Sequence, residues 1–325
     1  MTAATLSGNF TLEQLQSALA SHKPSHQTLE GGWASSDDTA SNIGVRNVAP
    51  PSSDPEILPA EQSYPRRLAA RYYFFRKTKQ YKDAFPGGTD QEQSVVDALD
   101  IMVSEIPGTA SFMVLFSARS NSLGQVIRKL REAALEFDEE AKVELDGALL
   151  GFSPDLFLWM VVRSREQREL DGHTTIQAVM SMNGHDNSRR VTVLTDGVDF
   201  NRPAFLVAVA EIEQLGPVRV ALRDTTLEAR VTADIWSSGG FSVLKGETAY
   251  SNYPDGPETR LRSMQDYAYE LLPKLIETYA RDVSWDDGKR KREILDAAQG
   301  LINRYLQKYP DLRGDLGLTE SGSDD

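Results

Sequence analysis

Hydrophobic positions along this chain switch between a helical period near 3.6 and short strand-like runs, and the switches outline its organisation. Near the start, Thr11-Leu-Glu-Gln14 has the form of a capping box, and Leu12, Leu15 and Leu19 extend it as a helix near 11–21. Residues 22–63 lose all periodicity and carry GG, SSDD and APPSSDP, so 1–63 is expected to be a mostly disordered acidic arm. Trp33 and Ile57 are the residues in it that could dock on a folded body. From 66 to 82, Leu68, Tyr72 and Phe75 follow helical spacing behind Pro65, although Tyr72-Tyr-Phe-Phe75 also suits a strand. After Phe85-Pro-Gly-Gly88, residues 91–105 predict another helix with Val95, Val96, Leu99, Met102 and Val103 on one face.

The next stretch mixes both periods. Strands are expected at 111–118, 174–182, 190–195, 218–223, 227–236 and 241–244. Helices are expected to start at Ser122, at Ser153-Pro154-Asp155 and near Asn201, the last closed by Gly216-Pro217. Strand following strand, with helices between some of them, predicts an α+β domain over 64–256 with a central mixed or antiparallel sheet and flanking helices. A weak echo of strand, loop and helix links Ser111–Phe137 to Arg190–Gly216, a pattern common in any α+β domain. Beyond it, Leu261, Met264, Ala268, Leu271 and Leu275 form one helical stripe, divided by Pro273, and Ile294, Ala298, Leu301 and Tyr305 form a second. Together they predict a C-terminal helical hairpin over 257–312, packed on the domain or on a partner, followed by a disordered acidic tail at 313–325.

Composition narrows the chemistry. The 325 residues contain no cysteine, which excludes disulfide scaffolds, thiol enzymes, cysteine zinc fingers and iron–sulfur centres. The longest wholly apolar runs, Leu156–Val162 and Ala204–Ala210, fall short of the roughly 18 residues a membrane helix needs. The start, MTAATLSGNFTLEQ, has neither a basic nor an apolar leader region, so a cytoplasmic protein is expected. The formal net charge of −13 is uneven. Residues 64–82 hold seven cations and no acid, whereas 83–110 hold six acids and no cation.

That basic–aromatic island is one candidate site. Arg66, Arg67, Arg71, Arg76, Lys77 and Lys79 could neutralise phosphates while Tyr72 stacks on a base, which would make a nucleic-acid interface. Pairing of the same cations with the acids of 83–110 is the ordinary alternative. An exposed cationic stripe would favour the first and ion pairs the second. The loop 117–122 joins a strand to a helix start, where Arg119, Ser120 and Ser122 could hold an anion. It lacks both familiar glycine-rich nucleotide motifs, and no cofactor is expected. Asp196 and Asp199, with Asp224 or Asp234 if the fold brings them near, could serve a magnesium-dependent phosphoester enzyme. A nuclease-like pairing of Asp155 with Glu166-Gln-Arg168 places both elements on one helix and lacks the lysine. No G-x-S-x-G occurs, and a triad would have to use His173 or His185. Lys289-Arg-Lys-Arg292 suits a solvated helix face. Without a motif for chemistry, the leading expectation is a non-catalytic interaction protein, an adaptor or accessory subunit that meets a protein partner or itself through its C-terminal helices.

Overall fold

The structure, a computed structural model, describes residues 2–33, 54–118, 122–145, 154–185, 191–194, 215–236, 240–252 and 257–310. It is α+β, built on two sheets in which every described strand pair is antiparallel. The first sheet has the order β2–β3–β4–β5–β1–β6, with β1 Thr2–Ser7, β2 Glu56–Leu58, β3 Arg67–Lys77, β4 Ser94–Glu105, β5 Ser111–Phe116 and β6 Lys142–Glu144. The second has the order β11–β10–β9–β7–β8, with β7 Thr174–His185, β8 Val191–Leu194, β9 Leu215–Asp224, β10 Ala229–Ile235 and β11 Phe241–Val243. The short β12, Ala249–Tyr250, pairs with β10.

Side-chain alternation divides the first sheet between two cores. Leu6, Tyr72, Leu99, Ile101, Val103, Val114 and Phe116 face α1 (Leu12–Ser21) and, beyond the short exposed α2 (Lys79–Ala84), α3 (Gly124–Leu135). Ala3, Met102 and Leu115 point the other way, into the core of the second sheet. The predicted capping box is present, with Gln14 N–H donating to Thr11 Oγ1 at 3.3 Å and Thr11 N–H donating to Gln14 Oε1 at 2.8 Å.

The largest departures from the sequence reading lie in this half. Most of 66–82 and of 91–105 is strand, not helix; they contain β3 and β4, paired along eleven residues from Arg67↔Ser104 to Lys77↔Ser94, and helix is confined to 79–82, the start of α2. Strands buried on both faces read as near-continuous apolar runs, which satisfy a 3–4 spacing by accident. Residues 2–33 are not a loose arm either. β1 lies between β5 and β6, and Trp33 is buried with its ring 4.8 Å from that of Tyr72. Ile57 packs against the same core.

In the second half, α4 (Pro154–Glu166) is buried all round from Leu156 to Val162, as expected of a helix apolar on every side. It shares one core with the second sheet and with the C-terminal helices. Those are α5 (Pro257–Asp266), a π-helical segment at Tyr267–Leu271, α6 (Leu272–Arg281) and α7 (Asp287–Lys308). Pro273 sits in the first turn of α6, where its missing N–H costs nothing, and the π segment before it absorbs the break in the ladder.

Candidate interaction surface

Antiparallel pairing of β3 with β4 sets the basic island beside the acidic stretch. Arg71, itself buried, lies directly opposite the half-buried Asp100, and its Nε donates to Asp100 Oδ1 at 2.7 Å. Arg76 Nε donates to Asp97 Oδ2 at 2.8 Å and Lys77 Nζ to Asp90 Oδ1 at 2.6 Å. Arg66 pairs with Glu13 of α1. Arg67 is buried, donating to the carbonyls of Pro59 and Pro65 at 3.3 Å each and stacking 5.0 Å over the Tyr64 ring. Tyr72 is core, and burial pushes its hydroxyl up to about 12. Of the seven candidates, Lys79 on α2 makes no ion pair among the described residues. Ion pairing, not an exposed cationic stripe, is what this segment forms.

The anion loop divides similarly. Arg119 and Ser120 lie outside the described residues, as do Asp196 and Asp199. Ser117 and Ser122 line a cavity of about 1310 Å³ between the first sheet and β9–β11. Its charged walls are already paired: Arg76 with Asp97, and Arg219 with Asp234 (2.8 and 3.1 Å) and Glu247 (3.1 Å). Among the described residues no group of carboxylates and histidines could hold a metal ion.

Asp224, weighed as a metal ligand, is instead a buried tether. It accepts from Thr174 Oγ1 at 2.6 Å and Lys274 Nζ at 2.9 Å, joining β7, β9 and α6. Burial pulls its carboxyl upward, but the donors outweigh it and hold it below the usual range. Lys274 is held above its usual value, since Asp224, Asp171 and Glu270 outweigh the cost of its burial. A lysine kept protonated in this way is no base for Thr174.

The acids once weighed for nuclease chemistry hold α7. Asp155 Oδ2 accepts from Trp285 Nε1 at 3.1 Å and Tyr279 Oη at 3.3 Å, its Oδ1 is ion-paired with Arg290 Nε 3.0 Å away, and Glu166 pairs with Lys289 at 2.5 Å. Half of the basic run 289–292 therefore serves to dock the helix on α4. Ile294, Ala297 and Leu301 pack on the core beside these pairs.

An adjacent line on α7 carries exposed apolar side chains, with Leu306, between Ile302 and Tyr309 on the same side, buried. Leu295 is 66% exposed, Ile302 40%, Tyr305 53% and Tyr309 46%, with the half-buried Ala298 between them. Their spacing of three and four residues places them on one face. Lys291 and Arg292 are exposed at one end of the line, and Lys308 at the other, its Nζ 5.2 Å over the Tyr309 ring. The stripe expected from sequence, Ile294, Ala298, Leu301 and Tyr305, mixes the packed line with the open one. The seven-residue recurrence Leu295, Ile302, Tyr309 is the signal that separates them. No protein-family model matches this chain, and no curated protein matches it.

Proposed function

We propose that this is a non-catalytic interaction protein of the cytoplasm, an adaptor or accessory subunit of a larger assembly, that meets its partner through α7. The exposed apolar residues of the line Leu295–Tyr309 carry the reading, because large apolar side chains in register on one helix face are a marker of a binding surface, whereas scattered ones are not. The binding of α7 to α4 through Asp155 and Glu166 supports it by holding that face rigid. No helix among the described residues is long and apolar enough to cross a membrane. The test is isolation of the tagged full-length protein from its own cells, with Ile302→Arg as the comparison. A stoichiometric partner retained by the wild type and lost by the variant at unchanged melting temperature supports the reading; equal retention by both, or no partner in either, overturns it.

A further inference from the structure

We infer that the cavity between the first sheet and β9–β11 binds a small organic acid, one carboxylate or phosphate carried on an aromatic or other planar apolar body. No described residue of α7 lines this cavity, so the site stands apart from the proposed docking surface.

Hydrogen-bonding capacity argues for an acceptor. The charged side chains of the lining are balanced, with Arg76, Arg219 and Lys245 against Asp97, Asp234 and Glu247. Pairing spends the two signs unequally. Asp97 accepts from the Ala98 N–H at 3.0 Å and from Arg76 Nε at 2.8 Å. Asp234 gives both oxygens to Arg219, and Glu247 gives it Oε1, while Glu247 Oε2 is closed to solvent. The carboxylates thus have little left for a ligand. Donors remain. Among the described residues, nothing accepts from Arg76 Nη1 or Nη2, from Trp236 Nε1, or from the hydroxyl of Ser117, whose oxygen takes the Asp100 N–H at 2.8 Å. The Arg76 side chain is 49% exposed, and its two terminal nitrogens form a fork of the kind that grips a carboxylate or phosphate through parallel bonds.

The apolar lining argues for the body of the ligand. Phe74, two residues before Arg76 on the same face of β3, sets an aromatic ring on the wall that carries the fork, and Trp236 adds a second ring. A volume of about 1310 Å³ admits a whole small molecule, since ligand pockets usually run about 300–1,000 Å³. A bare inorganic ion would leave the rings unused. A polyanion would meet the three acids of the lining and a chain of net charge −13.

The probes are two fluorescent dyes, anilinonaphthalene sulfonate and phenylnaphthylamine, which has the same rings without the sulfonate. Titrated into the full-length protein, the sulfonate dye should bind one per chain and about tenfold more tightly than the neutral one, about 1.4 kcal/mol. Arg76→Gln should bring the two affinities within about twofold, because it removes the fork and leaves the rings. Trp236→Phe keeps a ring and loses the N–H, and should weaken the sulfonate dye alone by about threefold. Ser117→Ala replaces Arg76→Gln as the decisive variant if the latter lowers the melting temperature. Benzoate or phenyl phosphate should displace the sulfonate dye, and whichever does so at lower concentration identifies the acid group; benzyl alcohol should not displace it. Equal affinity of the wild type for the two dyes, an unchanged preference in the decisive variant, or displacement by benzyl alcohol as effective as by benzoate overturns the inference. So does binding of many dyes per chain without saturation, or of neither dye.

Discussion

A carboxylate removed from water must be met by donors, and Asp266, buried at the last turn of α5, is met by three. Tyr64 Oη donates to one oxygen, Tyr250 Oη to the other at 2.5 Å, and Arg262 lies 3.5 Å away. Burial first, and then the Asp266 charge, raise both phenols above the ordinary tyrosine value. Asp266→Ala leaves two buried hydroxyls unmet and should lower unfolding free energy by about 2–4 kcal/mol, read from the urea midpoint at unchanged slope. Lys274→Met should cost about 3 kcal/mol or more, because Asp224 keeps its charge and loses its cation. Both sites shape the pH profile. Phenols and an ammonium with raised values bind protons more tightly folded than unfolded, so their contribution is complete below about pH 10 and is lost as pH rises further. Asp171, Asp224 and Asp282 are lowered, so theirs is complete above about pH 4 and is lost on acidification. Denaturant melts across pH should therefore show a plateau with falls at both ends, and Tyr250→Phe should flatten the alkaline one.

Among elements, β1 is one that sequence periodicity conceals. Thr2–Ser7 has only one large apolar residue, Leu6, yet it pairs with β5 over six residues and with β6 over three. Deleting residues 1–9 opens the sheet between β5 and β6, and should abolish cooperative thermal unfolding rather than trim a loose end. The glycines at 31 and 32 mislead in the same direction. They read as linker, but a Cβ on Gly31 would come within 2.4 Å of Tyr72 Oη, so glycine is what lets the chain lie against β3. The α1 capping box, the buried α4 and the helix pair at the C-terminus were legible, because caps and helical stripes are local signals. Strands β3 and β4 were not, because burial on both faces removes the alternation that marks a strand. The candidate site was half legible: α7 as an amphipathic helix could be read, but which of its two apolar lines stays open depends on α4, distant in sequence.

For the whole molecule, the net charge of −13 is not spread as repulsion over a uniform surface. The cations of β3 are spent against β4 and its flank, and those of α7 are divided between docking the helix and bordering its open face. Gel shifts at low salt should accordingly show no retardation of duplex or single-stranded DNA, since few cations remain together to displace counterions. The same architecture imposes an order in time. β1 leaves the ribosome ahead of its partners β5 and β6, which lie about 110 and 140 residues downstream. At 5–20 residues per second, the strand waits roughly 5–30 s before its neighbours exist. During synthesis the N-terminal strand is thus an unpaired edge, and chaperone capture of nascent chains should peak before residue 145 emerges and fall once β6 closes the sheet.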